Sequence, residues 1–111
     1  MAKEFKQTTF AGPNGWTVWQ VEGRIDVATS EDTYARGEEI VKENEKTVLD
    51  MSELEYISSA GLRVILRINK LTKKLGHKFA ISGAEGMVKS VLEDSGMDVL
   101  LNAKESLNDL A

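Results

Sequence analysis

Apolar residues alternate with polar ones most clearly between Trp16 and Ile25, where Trp19, Val21 and Ile25 share one face. Gln20, Glu22 and Arg24 point the other way, the two-residue period of a half-buried strand. Phe5 to Ala11 is a plausible partner strand. The intervening Gly12-Pro13-Asn14-Gly15 predicts a hairpin turn, because proline presets one dihedral and Asn-Gly tolerates positive φ. A helix is expected from Thr29-Ser30, both good caps, through Ile40-Val41 to the polar Glu43-Asn44-Glu45-Lys46 run. Thr47 to Met51 reads as a short buried strand, and Ser52 to Ser58 as a connection. A second helix spans about Ala60 to Leu75 and stops at Gly76. Phe79 to Ser82 is the next strand, Gly86 to Ser95 a third helix, Val99 to Leu101 a last strand, and Lys104 to Leu110 a terminal helix.

The expected order is therefore β-β-α-β-α-β-α-β-α. Strands alternating with helices require right-handed crossovers and a parallel sheet, to which the hairpin adds one antiparallel edge strand. The fold class is α/β: one domain over residues 1–111, with a small, mixed, mostly parallel sheet packed by about four helices. In such a sheet the loops at the carboxyl ends of the strands share one edge, where sites form. Here they carry Asp26, then Ser58-Ser59, then Gly83-Ala84-Glu85.

Length and charge narrow the function classes. The 111 residues suit a single domain, and no cysteine is present for a disulfide, a thiolate metal site or thiol catalysis. Fourteen basic against eighteen acidic residues leave a formal charge of −4, which argues against a nucleic-acid surface. The first residues lack the apolar run of a signal peptide, and no stretch approaches the roughly 20 apolar residues of a membrane span. A cytoplasmic protein that binds neither nucleic acid nor membrane is expected.

Ser59 follows a strand and a connection and opens a helix, where free N–H groups and a partial positive charge favour a serine oxygen and accept a phosphate. Simple N-capping by Ser58 or Ser59 explains the pair as well, and a cap and a phosphoacceptor are compatible. Ser59 with Gly61 is half of the G-x-S-x-G elbow, but Ile57 stands where the first glycine belongs. The one histidine, His77, lies past the far end of the same helix, over ~20 Å away at ~1.5 Å per residue. No Ser-His dyad forms across that gap, so no enzyme is expected, and His77 reads as a solvated turn residue. Gly83-Ala84-Glu85-Gly86 matches neither phosphate-loop pattern and reads as a tight turn.

On the second helix Val64, Ile68, Leu71 and Leu75 form the core stripe, with Gly61, Ile65 and Thr72 beside it. Arg63, Arg67, Lys70 and Lys74 form the opposite, basic face. Leu62 and Leu66 fall between, flanked by Asn69 and Lys73. Either these leucines pack under a neighbouring helix, or they form an exposed patch with Arg63 and Arg67, the mix enriched at protein interfaces.

Val48-Leu49-Asp50-Met51-Ser52 and Tyr56-Ile57-Ser58-Ser59-Ala60-Gly61-Leu62-Arg63-Val64 together resemble the signature of the STAS family of anti-sigma factor antagonists. Gly23-Arg24-Ile25-Asp26 looks like that family's strand-end aspartate segment. Phe79-Ala80-Ile81-Ser82-Gly83 and Val91-Leu92 before Gly96 fit its last third. The family pattern is Asp-Ser-Ser/Thr-Gly-Leu, with the serine after the aspartate phosphorylated. Aligned by glycine, that serine is Ser59, Ser58 replaces the aspartate as a competing hydroxyl, and Ala60 replaces the second hydroxyl residue. The resemblance implies partner switching. The unphosphorylated protein binds an anti-sigma factor serine kinase, freeing the sigma factor, and phosphorylation at Ser59 ends the binding. A metal-dependent serine phosphatase resets the cycle. The expected binding surface is Asp26, Ser58, Ser59, Leu62, Arg63, Leu66 and Arg67. ATP and metal belong to the partners, so no cofactor is expected here, and the free protein is expected to be a monomer. Asp26 either caps its strand or positions the kinase and repels the phosphate. The competing reading with the same fold is a non-phosphorylated STAS subunit of a lipid-transport or sensory assembly.

Overall fold

The hairpin forms as the turn residues dictate. In a computed structural model, which describes residues 3–111, β1 (Lys6–Ala11) and β2 (Thr17–Ile25) pair antiparallel, with Lys6 opposite Glu22 and Ala11 opposite Thr17. A single 3-10 turn over Pro13–Gly15 joins them, with Asn14 at φ 54° and Gly15 at φ 83°. Asparagine and glycine occupy that left-handed region at least cost.

The remaining elements are α1 (Ser30–Glu43), β3 (Lys46–Asp50), β4 (Leu54–Ile57), α2 (Ser59–Lys74), β5 (Lys78–Ser82), α3 (Gly86–Asp94), α4 (Met97–Leu100) and β6 (Ala103–Lys104). The sheet order is β1-β2-β3-β5-β6, with β4 beside β2. Every pairing except that of the hairpin is parallel. The mixed α/β architecture and its single antiparallel pair are those expected. No described helix is long and apolar enough to cross a membrane.

One face of β2 supplies the main core. Trp19, Val21 and Ile25 are fully buried there among Leu49, Ile65, Ile68 and Ile81. The other face is not purely polar: Trp16 and Val18 join Val48, Ala80 and Leu110 in a second, smaller cluster. The C-terminal segment covers that cluster, so the sheet is buried on both sides at this end. Gly37 lets α1 approach closely, since a Cβ there would lie 2.5 Å from the Trp19 ring and 2.8 Å from Ile68.

Four local expectations are corrected. The connection over 52–58 contains β4, made possible by Gly23 at φ 90°. The ladder shifts register between Gly23 and Arg24, so β2 pairs with β3 through residues 17–20 and with β4 through residues 23–25. A glycine bulge of this kind re-aims a strand. The strand expected at Val99–Leu101 is instead the last turn of α4 and its exit: only Leu101 is buried, while Val99 and Leu100 face solvent. Three consecutive apolar residues carry no period that distinguishes the two. The terminal helix over 104–110 is replaced by β6 and a 3-10 turn, Leu107–Asp109, closed by a Ser106/Asp109 capping box. Finally, His77 is not a solvated turn residue, because its Nδ1 donates to the Val41 carbonyl at 2.8 Å and the ring is half-buried.

The core face of α2 is Gly61, Val64, Ile65, Ile68, Asn69 and Thr72. Leu75, expected in that stripe, is exposed at the helix end, and Leu71 is half-buried. Asn69, expected at the flank, is inside instead.

Candidate functional site

Helix α2 starts against the ends of two strands. The Ser58 N–H donates to the Ile25 carbonyl at 2.9 Å, which ties the residue before the helix to the end of β2. Ser58 is extended (φ −93°, ψ 174°), and its Oγ accepts from the Gly61 N–H at 3.2 Å. Its carbonyl accepts from Leu62 at 2.9 Å, the first bond of the helix. Those are the angles and bonds of an N-cap. Of the two hydroxyls, Ser58 is the cap.

Ser59 is therefore the first residue of the helix proper. It is exposed, and its Oγ has no hydrogen-bond partner among the described residues. The first turn holds no acidic side chain, so nothing there offsets the positive end of the helix dipole. Arg63 follows one turn later, exposed and outside any salt bridge among the described residues. A free hydroxyl, unpaired N–H groups and a nearby guanidinium make a place that tolerates an added phosphate. His77, the one histidine, sits at the other end of α2 from Ser59.

Gly61 is what allows this placement. A Cβ there would fall 2.7 Å from the Ile25 carbonyl oxygen and 2.8 Å from both Ile25 Cγ2 and Ile57 Cγ1. The glycine of the Ser-Ser-Ala-Gly-Leu segment thus lets the helix start lie directly on the ends of β2 and β4.

Asp26 follows the residue that anchors Ser58. Its Oδ1 accepts from the N–H groups of Ala28 at 3.0 Å and Thr29 at 3.2 Å. Thr29 Oγ1 accepts from the Asp26 N–H at 3.0 Å and donates to the Arg24 carbonyl at 2.8 Å. Arg24 approaches Asp26 Oδ2 at 3.5 Å and stacks 4.1 Å from the Tyr56 ring centroid. Asp26 is thus the cap of the β2–α1 turn, with one oxygen largely committed to backbone.

Leu62 and Leu66 are half-buried and pack against the main core cluster, so neither is a free apolar patch. Arg67 is exposed but stacks on Tyr34 at 3.9 Å, bridging α2 to α1. Ser30, Glu31, Tyr34, Val64 and Arg67 line a shallow depression of about 150 Å³. The structure brings Ser58, Ser59, Asp26 and Arg63 to one end of α2, with Leu66 and Arg67 a turn further along.

Two features of this end of the molecule carry little sequence signal. Val27, directly after Asp26, is 79% exposed, an apolar side chain in a turn that needs none. Its position ahead of the Thr29-Ser30 caps was the available signal. The second is Asp50, 5% exposed, whose carboxylate accepts from Gln20 Nε2 at 2.8 Å, Ser52 Oγ at 3.0 Å and Ser52 N–H at 3.2 Å. Gly83, at φ 73°, passes so close that a Cβ would lie 2.8 Å from Asp50 Oδ1. This network joins the loops after β3 and β5.

The capping assignment is testable. Ser58→Ala is expected to cost about 1 kcal/mol, a fall of roughly 4–8 °C in Tm, whereas Ser59→Ala leaves Tm nearly unchanged. Calorimetry on the two variants reads the difference, and the opposite ranking would make Ser59 the cap.

A model of the STAS domain family matches residues 7–110. The candidate anti-sigma factor antagonist BtrV of Bordetella bronchiseptica is 31% identical over 84 residues, 75% of this chain and 72% of BtrV. Among solved structures, an anti-sigma factor antagonist from Mycobacterium paratuberculosis superposes with a TM-score of 0.84 at 21% identity, covering 96% of this chain and 90% of that one. The Bacillus cell fate determinant SpoIIAA in its phosphorylated form gives 0.67 at 12% identity, covering 91% and 93%. The structural matches are likenesses of fold.

Proposed function

The chain belongs to the STAS domain family, and from that premise we propose that it is a cytoplasmic anti-sigma factor antagonist switched by phosphorylation of Ser59. Unphosphorylated, it binds an anti-sigma factor that is also a serine kinase, and the sigma factor is freed. The kinase transfers a phosphoryl group from its ATP to Ser59 Oγ, and the antagonist lets go. A metal-dependent serine phosphatase removes the group and restores binding.

The observation that carries this reading is the division of labour between the two serines. Ser58 Oγ is committed to the Gly61 N–H, while Ser59 Oγ is exposed and uncommitted at the first helical position. Phosphorylating Ser58 would sacrifice the cap; phosphorylating Ser59 would not. The acidic residue that the family pattern places before the acceptor is absent, and the Ser58 cap performs the helix-start role without adding negative charge. The name of BtrV supports the class of partner, and the existence of a phosphorylated form of a protein with the same fold supports the modification.

The partner-facing surface is assigned to Ser59, Arg63 and Arg67, with the outer edges of Leu62 and Leu66 and the Asp26 turn around them. Arginines beside partly covered leucines suit an interface whose apolar centre is small and whose rim is charged. The test is a paired capture from the native cell. Ser59→Ala retains a serine kinase, identified by mass spectrometry, and Ser59→Asp does not. Equal recovery of the kinase by both variants, or by neither, would contradict the proposal and favour a non-phosphorylated subunit role.

A further inference from the structure

Away from Ser59, at the amino-terminal ends of the parallel strands, a second site is built around the start of β5 and the last turns of α2. It is a cavity of about 410 Å³. Trp16, Phe79 and Leu110, all nearly buried, give it an apolar wall. Lys73, Lys78 and Lys104 stand around its mouth, and none of the three is in a salt bridge among the described residues. Among the described residues no aspartate or glutamate lines it, although the chain as a whole carries a formal charge of −4. Ala111 also lines it, and its backbone oxygen accepts from the Trp16 indole N–H at 3.0 Å.

Two further features bear on what this cavity can bind. Asn69 is only 6% exposed, yet its amide lines the cavity with no hydrogen-bond partner among the described residues. The amide atoms are not sealed from solvent, so they are free to bond a ligand that enters the cavity. In addition, β6 pairs with β5 only at Ile81 and Ser82, so the edge of β5 at Phe79 has no strand beside it. The cavity therefore combines an apolar wall, an unpaired amide and three unpaired positive charges. Its lining divides about evenly between polar and apolar surface, which suits a ligand that has both an apolar body and a charged head group. Three ammonium groups around one opening repel one another, and an anion between them removes that repulsion.

We propose that this cavity binds a small organic anion, a carboxylate or phosphate ester with an aromatic or short aliphatic body. The body lies against Trp16 and Phe79, the anionic group faces Lys73, Lys78 and Lys104, and the Asn69 amide supplies the orienting hydrogen bond. At ~1.5 Å per residue the site lies roughly 20 Å along α2 from Ser59, and it does not depend on whether Ser59 is phosphorylated.

The experiment is a two-dimensional amide NMR titration of the full chain with phenyl phosphate, benzoate, inorganic phosphate and phenol. Phenyl phosphate or benzoate is expected to give saturable shifts at the Asn69 side-chain amide, the Phe79 N–H and the Trp16 indole N–H. The tighter of these two identifies the head group. Inorganic phosphate and phenol should each bind about tenfold more weakly, because each lacks half of the recognised chemistry. The double variant Lys73→Gln/Lys78→Gln should lose about tenfold in affinity for the tighter probe with an unchanged Tm, since both side chains are exposed. Absence of saturable shifts at these three groups would overturn the proposal. So would equal binding of inorganic phosphate, or full affinity in the double variant.

Discussion

Phosphorylation of Ser59 is expected to weaken binding to the anti-sigma kinase by about 10⁴-fold, equivalent to about 5.5 kcal/mol, enough to take a complex from 99% bound to 99% released. The modification adds about −1.5 to −2 charges at neutral pH. In the free protein that charge meets the unpaired N–H groups of the first turn of α2 and has Arg63 one turn away. The fold should therefore keep or slightly raise its Tm. In the proposed complex the same charge would be confined in a desolvated contact, where an unpaired ion is costly. The whole effect is thus on binding, and no rearrangement of the domain is needed. Calorimetric titration of the captured kinase with Ser59→Ala and Ser59→Asp reads it. Aspartate carries only one charge and lacks the phosphate's oxygens, so a loss of about 100-fold is expected from it, a part of the full effect. A difference below threefold between the two variants would remove the electrostatic switch from the account.

Gly61→Val is expected to destabilise the domain by about 3 kcal/mol, the upper part of the range for overpacking a filled site. The nearest obstacle to a Cβ is the Ile25 carbonyl oxygen at 2.7 Å, which is backbone and cannot rotate away. That strand end also accepts the Ser58 N–H, so moving it breaks the bond that seats α2. Alanine would meet the same oxygen but regain up to about 1 kcal/mol of helix propensity relative to glycine, which is why valine gives the clearer result. A loss of 3 kcal/mol is a large share of the 5–15 kcal/mol that holds a typical domain together, and Tm should fall by more than about 12 °C. Urea denaturation gives the free energy directly. A change below about 0.5 kcal/mol would show that the helix start yields easily and that Gly61 is not a packing requirement.

The elements most legible in the sequence were those in which local chemistry and tertiary packing agree. The Pro13-Asn14-Gly15 turn could hardly be anything else, and the alternation of Trp19, Val21 and Ile25 matches a strand with one face in the main core. Helix α2 and its basic outer face follow directly from the spacing of Val64, Ile65, Ile68 and Thr72. Strand β4 was not legible, because four residues carry too little period and its existence depends on a bulge at Gly23, thirty-one residues before it begins. The exchange of strand for helix at Met97–Leu100 has a similar origin, since only Leu101 of that apolar run enters the core.

Around the site, residue type and position were legible but contacts were not. Asp26, Ser58 and Ser59 could be placed on one sheet edge from element order alone. Which serine caps α2 depended on the extended backbone of Ser58 and its bond to Ile25, a contact across thirty-three residues. Leu62 and Leu66 lay on the boundary between core and surface in the helical projection, and the structure leaves them half covered. Asn69 shows the limit of such projections: a polar residue expected at the flank is turned inward, beside the cavity it lines.

Phosphosite mapping by mass spectrometry, on the protein purified from its native cell under several growth and stress conditions, tests the central claim most directly. Phosphate is expected on Ser59 and none on Ser58, whose oxygen is held by the Gly61 N–H. Phosphate on Ser58 alone, or no phosphate on either serine in any condition, would contradict that claim.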